Sequence, residues 1–156
     1  MKKITLLFAM LVMITLNAQV ESGVINFTSG YTGEIVIDPI NVTVTLIGPD
    51  NLWLGVGFGV DSMTAGGDVI THSSTGFSDR QFLGIGVMPT PDTQDWTVST
   101  NDVSAGVRTL VVTRPLTGTD SSDFVFDSSA TNISLVWAHG NNTEVFGQHA
   151  ANSRDA

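Results

Sequence analysis

The chain has 156 residues, enough for one domain with a core that needs no covalent staples. It has no cysteine, which excludes disulfides, thiolate metal sites and a cysteine nucleophile. Fifteen acids stand against six Lys and Arg, a net charge of −9, so nucleic acid and anionic membrane surfaces are poor partners.

Residues 1–18 read as an export signal. "MKK" supplies the positive start, and "ITLLFAMLVMITL" is an apolar run too short and wrongly flanked for a stable membrane span. Ala18 offers a small residue at a cleavage point before Gln19. The expected mature domain is residues 19–156, secreted or periplasmic/cell-surface, of bacterial type, with no stable membrane insertion after signal removal. Removal takes away Lys2 and Lys3 but no acid, leaving four arginines against fifteen acids, or −11.

Past the signal, short apolar alternations are separated by Gly, Asp, Asn, Ser and Pro. "GVINFTS", "GEIVID" and "NVTVTLIG" read as the first strands, with "SGYTG" and "GPDN" as turns. In the third, Val42, Val44 and Leu46 share one face and Thr43 and Thr45 the other, an apolar-in, polar-out strand. "LWLGVGFG" follows, with Leu52, Leu54, Val56 and Phe58 on one face and Trp53, Gly55, Gly57 and Gly59 on the other. "DVITHS" reads as a further strand, and "QFLGIGVM" repeats the device, with Gly84 and Gly86 opposite Leu83, Ile85 and Val87. Bare glycine faces mark either crowding between sheets or something flat lying against the strand. "DWTVST", "VRTLVVTRPL", "DFVFD" and "NISLVWAHG" complete the set. Many short strands at regular spacing predict an all-β antiparallel sandwich or barrel.

Enzyme motifs are missing. No Gly-x-Ser-x-Gly elbow occurs, no pair of carboxylates is singled out by spacing, and "GVGFG" leads into no helix. The chain is therefore not expected to be an enzyme. Asp61, Asp68, Asp79, Asp92, Asp95, Asp120 and Asp123 fall where turn formers are common, and none has calcium-loop spacing. Of the three histidines, His72, His139 and His149, no two form a close metal-binding pair. A thioether and an imidazole can together hold haem iron, the thioether raising its potential. Met63, in the loop after the glycine-bared strand, could supply the thioether, although a loop methionine is most often only a loop residue.

In order along the chain, "LWLGVGFG…SMTAGGDVI", "FSDRQFLGIGVMPTPDTQDWTV", "GVRTLVVTRPLTGTDSSDF", "ISLVWAHG" and "GQHAANSR" resemble a DOMON domain, including the cytochrome domain of cellobiose dehydrogenase. The resemblance runs from about residue 24 to the end. It implies an immunoglobulin-like antiparallel β-sandwich that binds haem b or, in other members, sugars. For haem it implies Met63 and His149 as axial iron ligands. His139, within "VWAHG", is the alternative histidine, with His72 last, and Met88 is the alternative methionine. Leu54 and Phe58 are expected as slot walls; Trp53, Trp96 and Trp137 are expected as core anchors. Arg114 and Asp120 match a "TRPL…D" pattern and are expected to staple a strand end rather than to ligate. The function so implied is an exported haem b electron-transfer module, its acidic surface meeting a redox partner protein or an appended redox domain. A carbohydrate-binding module on the same sandwich is the alternative.

Overall fold

The computed structural model of the protein describes residues 19–156. The export signal read at residues 1–18 lies outside the described residues. Among the described residues there are twelve strands and no helix. The first sheet holds β1 (Val20–Glu21), β2 (Ile25–Thr28), β3 (Tyr31–Ile37), β4 (Asn41–Pro49), β9 (Thr97–Ser104) and β10 (Val107–Pro115). Its order is β1-β3-β4-β10-β9, with β2 also pairing β3. The second holds β5 (Leu54–Phe58), β6 (Asp68–Ser73), β7 (Gly76–Gln81), β8 (Thr90–Pro91), β11 (Leu135–His139) and β12 (Arg154–Asp155). Its order is β12-β11-β5-β6-β7-β8. Every pairing is antiparallel. The protein is the expected all-β sandwich.

Period-two alternation builds the layer between the sheets. Val42, Val44 and Leu46 of β4 and Leu110 and Val112 of β10 are buried from one side. Leu54, Val56 and Phe58 of β5 and Ile70 of β6 meet them from the other. Each such side chain contributes about 1.5–3 kcal/mol by leaving water. On the other face of the first sheet, Thr43 and Thr113 lie directly opposite and their hydroxyls are 3.1 Å apart. Tyr31 crosses the sandwich: its hydroxyl donates to the carbonyl of Gly55 at 3.2 Å.

Two expected strands differ. Residues 83–88 form a loop, because Gly84 and Gly86 take φ of +136° and +77°, which no extended ladder accommodates. Ile85 is consequently 79% exposed rather than alternating into a core. Residues 123–127 keep their alternation, with Phe126 buried and Val125 exposed, but run without a ladder partner. The segment docks by its aromatic side chains, by Phe126 N–H to the Leu116 carbonyl at 2.9 Å, and by the Phe124 backbone, whose N–H donates to Asp68 Oδ2 at 3.1 Å and whose carbonyl accepts from Arg114 at 2.6 Å.

Candidate functional site: a hollow on the outer face of the second sheet

Because Leu54, Val56 and Phe58 point between the sheets, Gly55 and Gly57 face outward. Register places Gly55 between Thr71 of β6 and Ala138 of β11, and Gly57 between Val69 and Val136. These residues floor a hollow of about 760 Å³, within the size range of small-molecule and cofactor sites. Three loops make its rim, carrying Met63, then Ile85 and Met88, then Phe146 and His149; Arg154 of β12 also lines it.

The glycines do two different jobs. A Cβ on Gly57 would meet the Phe82 ring at 2.6 Å and Val136 at 2.9 Å, so that bareness is taken up by the protein's own side chains. A Cβ on Gly55 would meet Trp53 and Thr71 only at 3.3 and 3.4 Å, and it stands at the hollow. Glycine is required at the first position by close approach and at the second keeps the floor low.

Met63 packs with Val60 against a satellite apolar cluster of Val69, Phe82 and Val136, separate from the inter-sheet core. Its loop is held by backbone bonds that run both ways: Gly66 N–H donates to the Phe82 carbonyl and Phe82 N–H to the Gly67 carbonyl, each at 2.8 Å. His149 is half-buried. Its Nδ1 lies 3.1 Å from the Ala150 carbonyl. A carbonyl only accepts, so this bond requires a proton on Nδ1, and in the neutral ring it leaves the Nε2 lone pair for another partner.

The other expected residues fall elsewhere. Leu54 and Phe58 do not wall the hollow; alternation sends both into the inter-sheet core. His139 lies on the inward face of β11, its ring 6.1 Å from both Tyr31 and Trp137, with Nδ1 2.8 Å from the Gly140 carbonyl. It is on the wrong side of the sheet to be an alternative ligand. His72 is also inward and buried, with Nε2 3.2 Å from the Asn101 amide nitrogen. Burial and the nearby Arg108 push its pKa below the ordinary histidine value. Met88 does line the hollow, from an exposed position on the rim. Trp53 and Trp96 are buried, while Trp137 is half-buried against Phe27 and Tyr31.

Arg114 is paired, but not with Asp120. Its guanidinium is buried and donates to Asp68 Oδ2 at 2.9 Å and to the Phe124 carbonyl at 2.6 Å. Trp96 and Phe126 hold it at 4.9 and 5.0 Å from their ring centroids. Asp120 instead accepts from the Ser122 N–H at 2.8 Å, a local turn. Around Arg114 the carboxylates of Asp68, Asp79 and Asp123 bring one oxygen each within 4.8 Å of one another. Asp68 and Asp79 therefore belong to strands β6 and β7 and to a buried cluster, not to turns. Burial pushes Asp79 up to about 7, helped by its neighbour Asp68. Burial likewise lifts Asp68 to about 6 against the pull of Arg114.

A family model described as the DOMON domain matches residues 31–140, a stretch that contains Met63 and ends before His149. No curated protein matches the chain. That match covers well over half of the sequence and takes in both sheets of the sandwich, and the chain belongs to the DOMON family.

Proposed function

We propose that the hollow binds haem b, with Met63 and His149 as axial ligands, and that the protein is an electron carrier rather than an enzyme. The observation that carries this reading is that two distant residues of complementary donor type, a thioether and an imidazole with Nε2 unengaged, line one mainly apolar hollow. Haem held by that pair would supply a one-electron redox centre. The floor of Gly55, Val69, Val136 and Ala138 excludes water from one side of a flat ligand. Arg154, the arginine among the lining residues, is suited to hold a ligand carboxylate.

A sugar-binding role on the same sandwich would call for exposed aromatic platforms. The rings nearest the floor, Trp53 and Phe82, are buried instead, which favours the haem reading. Among the described residues no helix is long and apolar enough to cross a membrane. With the leader read at residues 1–18, we place the working protein outside the cytoplasm. There its acidic surface would steer a basic redox partner or an appended redox domain.

Titration of the purified protein with haemin tests the reading. A sharp Soret band and, on reduction, narrow α and β bands are expected, with both lost in Met63→Ala and in His149→Ala. A wild-type protein that leaves haem in its free spectrum sinks the proposal. An unchanged spectrum in either variant removes that residue from the iron.

A further inference from the structure

Arg80 lies on the outward face of β7, directly opposite Val69 of the hollow's floor strand. Its side chain touches three separate pieces of the site. Nε donates to Thr71 Oγ1 on the floor at 3.0 Å. Nη1 donates to the carbonyl of Pro89, the residue after Met88, at 3.0 Å. The guanidinium carbon stands 4.3 Å from the centroid of the Phe146 ring, in the loop that ends at His149. Phe146 also packs against Trp53, with centroids 5.1 Å apart and an edge-on geometry.

The His149 loop depends on that packing. Its beginning is pinned by backbone bonds, Trp53 N–H to the Thr143 carbonyl at 3.1 Å and Ser74 N–H to the Glu144 carbonyl at 2.9 Å. Among the described residues no backbone–backbone hydrogen bond then involves residues 145–149. After His149 the chain is anchored again, Ser153 N–H to the Ala150 carbonyl at 3.2 Å and His139 N–H to the Ser153 carbonyl at 3.0 Å, so the Phe146 side chain is the contact that holds the unbonded stretch between these anchors. Only a planar guanidinium can present a π-facing surface while donating sideways to two acceptors; an ammonium cannot do both.

We propose that Arg80 is the positioning residue of the hollow. It holds the loop of Met88 and the loop of His149 to the sheet, and so sets the distance at which the imidazole meets a ligand. The identity of that ligand rests on the haem reading; the clamp itself is a property of the ligand-free chain.

Amide hydrogen exchange on the ligand-free protein and haemin binding on the same samples test it together, using Arg80→Met, Arg80→Lys and Phe146→Leu. In Arg80→Met, exchange of the bonded amides that tie the two loops, those of Val87, Trp53, Ser74 and Val145, is expected to rise roughly tenfold, as loss of the ring contact with its two hydrogen bonds allows, while β5 and β6 keep their protection. Arg80→Lys is expected to stay close to Arg80→Met rather than to wild type. Phe146→Leu, which reaches the contact from the loop side, carries the test should Arg80→Met not fold. Unchanged exchange at all four of these amides overturns the proposal. With haemin, Arg80→Met is expected to show a reduced low-spin fraction and to lose haem several-fold faster to a scavenging acceptor. A wild-type spectrum together with a wild-type loss rate in Arg80→Met also overturns it. Should the wild type take up no haem, the haem reading falls while the exchange result still decides the clamp.

Discussion

Arg114 of β10 and Asp68 of β6 join the two sheets through one bond of 2.9 Å, at a place where both side chains are almost wholly removed from water. A charge so placed is tolerable only with its partner. Arg114→Met leaves the carboxylates of Asp68, Asp79 and Asp123 together without their cation. The expected loss is about 3–5 kcal/mol of unfolding free energy, read by urea denaturation at pH 7. Arg114→Lys is expected to recover only part of it, because an ammonium cannot reach Asp68 and the Phe124 carbonyl while lying between Trp96 and Phe126.

The acid cluster sets the direction of the pH dependence. Asp79 titrates near 7 when folded against a usual 3.8, so the folded chain holds the extra proton between those values. Its contribution to stability is complete below about pH 3.8 and is lost as pH rises through about 7. Asp68, lifted to about 6, acts in the same sense over a slightly lower window. Asp79→Asn is expected to flatten the fall between pH 5 and pH 8 and to leave the variant more stable than wild type at pH 8. Thermal unfolding across that range checks it; a wild-type slope in the variant counts against the assignment.

Gly57 is a test of the floor. Since a Cβ there would stand 2.6 Å from the Phe82 ring, Gly57→Ala must displace that ring. Overpacking of this kind costs about 1–3 kcal/mol. The double variant Gly57→Ala with Phe82→Leu is expected to recover most of the loss, and a denaturation cycle of the four proteins measures the coupling.

Tyr31 separates fold from site. Tyr31→Phe removes the hydroxyl that donates to the Gly55 carbonyl and is expected to cost about 1 kcal/mol. The hydroxyl approaches from the inter-sheet side, so haemin uptake by the hollow is expected to be unchanged. A stability loss accompanied by lost uptake would mean that the two faces of β5 are coupled.

Much of the sandwich was readable as alternation, β4 most plainly, because one buried face and one wet face leave a period-two mark. The glycine pairs were not resolved by pattern alone. Gly55 and Gly57 stay extended while Gly84 and Gly86 turn to positive φ, and glycine permits both. The same alternation that exposes Gly55 sends Leu54 and Phe58 inward, and the resemblance that makes them slot walls runs against it. Met63 stood out by its place after the bared strand, whereas His149 was reached only through resemblance, since no local spacing links the two. The partner of Arg114 is not legible in sequence, because the nearest acid after it, Asp120, is used in a turn and Asp68 comes from the other sheet. Arg80 and Phe146 carried no signal at all: a cation stacked on a ring from a distant loop leaves no periodic trace.

The hollow and the inter-sheet core are opposite faces of the same strands, β5, β6 and β11: Leu54, Val56, Phe58 and Ile70 serve the core, Gly55, Gly57, Val69 and Thr71 the hollow, and Trp137 borders both. Away from Trp137, mutation can therefore explore one face without disturbing the other. A lineage carrying this sandwich is free to exchange rim loops, donors and ligands over generations while the packed layer beneath keeps the chain folded.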